Sequence, residues 1–243
     1  MNTKLLKVAL GFVLVMLFIS ACGVAPVFGS GKVVTETRQV SGFDKVSVSG
    51  GGDLVIIQDG TESVTVETDD NMMQYLVAEV RGGTLHLYLD NQGINNFQPT
   101  RLVFTVHVKD LTGVTTSGSW DFTSKKITTS SLDLNVSGSG DIAIDSLTAD
   151  TLSVDISGSG EMDAAGTVTS QTIHVSGSGK IRAADLKSET AQVTVSGSGN
   201  ATLWVTKSLT VDISGSGNVQ YYGSPETNIN TSGSGSIERL GDK

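Results

Sequence analysis

The sequence predicts an all-β fold, a solenoid wound in coils of about 18–20 residues, and three observations carry that prediction. The tetrapeptide Ser-Gly-Ser-Gly begins at Ser137, Ser157, Ser176, Ser196, Ser214 and Ser232, so its copies recur at a near-constant interval. Between the copies, β-branched and other apolar residues alternate with polar ones, as in Leu152-Ser153-Val154-Asp155-Ile156. Finally, 29 glycines stand beside only 3 prolines, which suits neither collagen nor a continuous flexible linker.

Composition narrows the class further. With 243 residues, 38% apolar and only 17% charged, the chain can build a core and is not a disordered polyelectrolyte. A formal charge of −9 argues against a nucleic-acid partner, since phosphate binding wants a basic face. A single cysteine excludes a disulfide framework or a multi-cysteine metal site.

The first segment reads as an address. Met1–Lys7 carries two lysines and no acid, Val8–Ile19 is an unbroken apolar run, and Ile19-Ser20-Ala21-Cys22 precedes Gly23. Such a basic start, apolar stretch and small-residue boundary form a secretory signal. Its ending resembles the bacterial lipobox, in which the cysteine becomes the lipid-bearing N-terminus. The resemblance implies a lipoprotein signal peptide over 1–22, Cys22 as the lipidation site, and residues 23–31 as a tether. A retained membrane helix is the alternative, because Val8–Phe28 carries no charge and is long enough to span a bilayer. Each reading, plain secretion included, places the remainder outside the cytoplasm. Losing Lys4 and Lys7 takes the formal charge from −9 to −11.

Residues 32–116 form an N-terminal β part. Val46–Val48, Leu54–Ile57, Val64–Val66, Leu85–Leu89 and Leu102–Val108 read as strands, with Gly60, Gly82-Gly83 and Asp90–Pro99 as turns. Only Asp69–Ala78 suggests a helical turn. Ser49-Gly50-Gly51-Gly52 is a relative of the tetrapeptide, and Ser117-Gly118-Ser119-Trp120 a degenerate copy. A thick cap here would protect a sheet edge.

Residues 117–243 are the repeats. So short a unit cannot bury its own apolar face, whereas stacked units bury a shared one, with strands ~4.8 Å apart. Alignment predicts one inward column of Val136, Ile156, Val175, Val195 and Ile213. A second holds Ile142, Met162, Ile181, Ala201, Val219 and Ile237. Continuous alternation between Ile156 and Met162 turns Gly158 and Gly160 inward and Ser157 and Ser159 outward. The competing arrangement is a corner at glycine with serines inward as a hydroxyl ladder.

Arg38–Gly50 followed by Asp53-Leu54-Val55-Ile56, the strand Gly83–Leu87, the strand Leu102–Leu111 and the serial tetrapeptides together resemble one family: putative auto-transporter adhesin, head GIN domain. The resemblance covers about residues 33–240. It implies an all-β, right-handed β-helix-like solenoid, often exported or lipid-anchored, with no established catalytic residues, so no functional residue carries over.

Candidate chemistry is sparse. His86, His107 and His174 occupy outward strand positions without sequence-local partners, and the sequence predicts no enzyme and no cofactor. A zinc site would need clustering that is absent. In the column after the tetrapeptide (Asp141, Glu161, Lys180, Asn200, Asn218, Ser236) carboxylates fall on two coils only, which favours a solvated acidic pair over a calcium ladder. The column before it (Asn135, Asp155, His174, Thr194, Asp212, Asn230) never sets two carboxylates side by side. Lyase- or glycosidase-like convergence of acids is not visible. Trp204 and Tyr222 should stack on adjacent coils beside Tyr221, either as a binding patch or as a plug over the terminal coils. The expected partners are the membrane, through the lipid anchor, and a surface glycan or protein.

Overall fold

The computed structural model describes residues 26–90 and 97–243. The predicted signal peptide and Cys22 lie outside the described residues. The chain enters with β1 (Val27–Phe28), β2 (Val33–Arg38), the long β3 (Lys45–Gln58) and β4 (Ser63–Asp69). A single 3-10 turn at Met73–Tyr75 replaces the expected helical turn, and leads into β5 (Leu76–Arg81) and β6 (Thr84–Leu89). Then come β7 (Phe97–Gln98), β8 (Leu102–Val108), β9 (Gly113–Ser124), β10 (Ile127–Thr128) and β11 (Ser131–Gly138). Whole coils follow as β12 (Ile142–Gly158), β13 (Glu161–Gly177), β14 (Lys180–Gly197) and β15 (Asn200–Gly215). The chain finishes with β16 (Asn218–Tyr222), β17 (Glu226–Gly233) and β18 (Ser236–Gly241).

From β9 onward every pairing is parallel and in register with the tetrapeptides: Ser137 pairs Ser157, Ser157 pairs Ser176, and so on to Ser214 with Ser232. This is the predicted solenoid. Both predicted apolar columns stack as aligned, and all their members but Ile237, at the last coil, are buried. Burying such columns is the main favourable term, at ~25 cal/mol per Å² of apolar surface removed from water.

The tetrapeptide serines face solvent. Ser157 and Ser159 are exposed and Gly160 is buried, so the inward hydroxyl ladder does not form, but the strand breaks at Ser159-Gly160 and Gly158, expected inward, is half-buried. Gly158 has a φ of +140°, a region L side chains rarely adopt. The local cause is a backbone bond: the N–H of Ser159 donates to the Gly138 carbonyl at 3.0 Å, which draws successive coils together at this edge.

The first part is the same solenoid with one long detour. Ser49-Gly50-Gly51-Gly52 pairs with Ser117-Gly118-Ser119-Trp120, although β4 to β8 all intervene along the chain. The detour returns β6 and β8 as parallel neighbours of β3, and then closes the end with antiparallel strands. β5 pairs with β6, β4 with β8, and β2 with β4. Trp120 occupies the position where later coils have glycine. It is buried, and its ring lies 5.5 Å from that of Phe104, so this part is the thicker one.

Residues 27–31, within the segment expected to be a tether, are tied to this end. β1 pairs with β7, and the Gly29 N–H donates to the Gln98 carbonyl at 2.9 Å. Asp69, fully buried, organises the junction: it accepts from the Thr100 N–H and hydroxyl, both at 2.7 Å, and from the Gly31 N–H at 2.8 Å. Burial pushes the Asp69 carboxyl up, but the bonds from Thr100, Gly31 and the Arg101 backbone outweigh it and hold the group below its usual range.

Candidate functional site

Two outer faces offer chemistry. The first is the edge of exposed serines, Ser137 to Ser232, flanked by the column Asn135, Asp155, His174, Thr194, Asp212 and Asn230. Coil stacking sets these groups at intervals of ~4.8 Å. Two rungs of this column bond to each other: Asn230 Nδ2 donates to Asp212 Oδ1 at 3.3 Å. His174 is exposed between Asp155 and Thr194, as outward alternation requires.

The second face follows the tetrapeptide. Register shifts fall at Ile144/Leu147, Asp163/Ala165 and Ala183/Lys187 on successive coils. Stacked irregularities bend the strands at one place, and the outer side becomes concave. One hollow there has a volume of about 470 Å³ and is lined by Asp145, Asp163, Arg182 and Asp185 among small alanines. Arg182 is committed to Asp163, at 2.7 Å, and to Glu161. The guanidinium is thereby held above its ordinary pKa, chiefly by the Asp163 bond.

The acidic column is longer than the sequence indicated. Asp53 pairs with Asp121, and beyond it come Asp141 and Glu161. The reason for the acids is backbone satisfaction: Asp121 Oδ1 accepts the Asp141 N–H at 3.1 Å, and Asp141 Oδ1 accepts the Glu161 N–H at 3.0 Å. Among the described residues, no three His, Cys, Asp or Glu side chains are grouped so as to hold a metal ion.

Trp204 and Tyr222 are paired neighbours, half-buried on the concave face. Tyr221 is turned the other way, 8% exposed in the core beside Leu203. The aromatic pair seals no coil end, because β18 stacks beyond Tyr222. Two lysines cover it. Lys187 Nζ lies 5.4 Å from the Trp204 ring centre, and Lys243 Nζ lies 5.6 Å from Trp204 and 5.3 Å from Tyr222. Lys243 also donates to the Ala184 carbonyl at 2.6 Å and to Asp185.

The histidines do not converge. His107 Nδ1 lies 2.7 Å from Asp59 Oδ2, and Asp59 also accepts the Thr61 hydroxyl at 2.7 Å. The Thr61 hydroxyl, then His107 and the Thr61 N–H hold the Asp59 carboxyl down to about 2. His86 sits on β6 and His174 on β13, each on a different strand from this pair. Sequence reasoning missed the Asp53–Asp121 start of the acidic column, although Asp121 follows the degenerate copy directly and was open to alignment. It also missed the outward bend, which leaves no residue signature.

The family model described as "Putative auto-transporter adhesin, head GIN domain" matches residues 42–225. No curated protein matches the chain. Among solved structures, a putative adhesin from Bacteroides fragilis is 26% identical, with a TM-score of 0.83, covering 88% of this chain and 100% of its own. A putative lipid binding protein from Parabacteroides distasonis is 29% identical, with a TM-score of 0.75, covering 89% and 100%. A putative adhesin from Parabacteroides merdae, at 22% identity, TM-score 0.72 and coverages of 88% and 99%, shares the fold.

Proposed function

We propose, because this chain belongs to the head GIN domain family of putative auto-transporter adhesins, that it is an exported surface-interaction protein of the adhesin kind. The membrane anchor in this reading is a lipid on Cys22, carried by the lipobox-like Ile19-Ser20-Ala21-Cys22. A solenoid body then stands outside the cytoplasm and meets a surface glycan or protein.

The observation that carries the reading is the exposed, in-register serine column from Ser137 to Ser232 beside the Asn, Asp, His and Thr column. Each group gives one weak polar contact in water, on the order of 1 kcal/mol. Many contacts on a fixed spacing add without further ordering cost, because the coil backbone already fixes them. Family and neighbours are described as adhesins or lipid binding, not as enzymes.

The test is a binding screen of the full chain against glycans and envelope components. A chain with Ser176, Ser196 and Ser214 all changed to Ala, three adjacent hydroxyls removed from an exposed column, should lose the captured ligand while keeping its unfolding midpoint. Undiminished capture by that variant sinks the serine face as the working surface. Loss confined to a Trp204→Ala/Tyr222→Ala variant would move the surface to the aromatic pair.

A further inference from the structure

A larger cavity, of about 740 Å³, lies across β3, β9, β12 and the turn after β9. Its floor is largely apolar: Val55, Ile57 and Ala143 flank Thr123, and Ile57 is left 38% exposed. Thr123 and Ala143 stack beside Val55 on successive coils, so the floor is continuous across three of them. At one rim stand Lys125 and Lys126, adjacent in the turn between β9 and β10. Neither ammonium has a hydrogen-bond or ion-pair partner among the described residues. Asp145 stands on the rim too, likewise without a partner there.

The walls are built rather than incidental. Gln58 clamps the end of β3 to β10: its Nε2 donates to the Lys109 carbonyl at 3.1 Å and the Thr128 carbonyl at 2.9 Å. Its Oε1 accepts the Thr128 N–H at 2.7 Å. Ser124, buried, donates to the Ile56 carbonyl at 3.0 Å, which fixes the strand leading into the lysine turn. Two cations with no direct ion-pair partner among the described residues, and one acid beside them in register, are therefore held at the mouth of the hollow, on a chain whose formal charge is −9.

We propose that this cavity binds a single-chain anionic amphiphile, a fatty carboxylate. The chain lies on Val55, Ile57 and Ala143, and the carboxylate meets Lys125 and Lys126. Each methylene buried contributes ~0.8 kcal/mol, and the ammonium pair selects the head. A sugar is a poorer occupant, because the floor offers no aromatic platform, and the Gln58 amide and Ser124 hydroxyl are already bonded to backbone, which leaves the Thr123 hydroxyl. The rim carries two lysines against one acid, Asp145, which register places beside Lys125, so its net positive charge favours an anionic head. The site is separate from the serine face and stands or falls independently of the adhesin reading.

Dodecanoate titrated into the full chain as isolated from cells, in buffer free of long-chain detergent, should bind saturably at one site per chain by calorimetry. Dodecyltrimethylammonium and dodecyl maltoside should bind at least tenfold more weakly. The variant Lys125→Glu/Lys126→Glu, on an exposed turn, should weaken dodecanoate at least tenfold while circular dichroism and the unfolding midpoint stay unchanged. Ala143→Trp should fill the hollow and abolish binding. Equal binding of the cationic amphiphile, an unaffected double-lysine variant, non-saturable uptake, or capture by phosphatidylglycerol vesicles without binding of monomeric dodecanoate would each overturn the proposal.

Discussion

Gly158 lies against the carbonyl of Gly138 so closely that a Cβ on Gly158 would overlap that oxygen. The same oxygen already accepts the Ser159 N–H at 3.0 Å, so it cannot move away without breaking the ladder. Its neighbour Ser157 is exposed, and its hydroxyl donates to Asp155 Oδ1 at 3.4 Å. Gly158→Ala should therefore cost about 3 kcal/mol, from positive φ and overpacking together. Ser157→Ala should change stability by less than ~0.5 kcal/mol. Urea unfolding of the two variants, followed by far-UV circular dichroism, measures both.

Asp69 makes the N-terminal end acid-sensitive. Its carboxyl is depressed in the folded chain, so its contribution is complete above the unfolded carboxylate pKa and disappears as pH falls through the folded one. Asp69→Asn keeps the shape but loses the charge-assisted bonds, at ~2 kcal/mol. Stability measured from pH 7 down to pH 2 should fall less steeply in Asp69→Asn than in the parent; parallel curves would refute the assignment.

Asp59 offers a local titration. With its carboxyl at about 2, it should remain ionised while other exposed carboxylates protonate. Thr61→Ala removes the largest cause and should move the Asp59 side-chain carbon resonance upward in pH, toward the ordinary ~3.9. His107→Ala should do the same by a smaller amount. The sign is that of any depressed acid: its stabilising effect is present at neutral pH and is lost as pH drops toward 2.

The two tryptophans should report separately. Trp120 is buried within the thick first part, whereas Trp204 is half-buried under Lys187 and Lys243 on the outer face. Acrylamide should quench Trp204 and spare Trp120. Trp204→Phe should leave an emission that acrylamide scarcely reduces, and Trp120→Phe one that it reduces readily.

Cys22 carries the anchoring proposal. Metabolic labelling with palmitate should mark the parent chain and fail in Cys22→Ala. Label retained by the variant would remove the anchor.

Much of this molecule was legible because a solenoid repeats its instructions. Val136, Ile156, Val175, Val195 and Ile213 could be aligned by their distance from Ser-Gly-Ser-Gly, and register follows from that alone. Serine orientation needed the Ser159-to-Gly138 bond, a contact between coils that no single repeat contains. The detour between Ser49 and Ser117 hides a nearest neighbour behind five intervening strands, so period gave no help there. The candidate cavity was illegible for a related reason. Val55, Ile57, Lys125 and Ala143 sit on three coils, brought together by the pairing of β3 with β9 across the detour and of β9 with β12.

At the far end, the columns change character: Thr227, Thr231 and Arg239 take inward places under Leu209, Ile213 and Tyr221. The Arg239 guanidinium bonds the Gly223 carbonyl and Asp242, and Ile229 remains 46% exposed. Polar and charged rungs at inward positions discourage another strand from adding on. Growth by stacking is thus arrested by composition. The body behaves as a ruler: its height is counted in whole coils of ~4.8 Å.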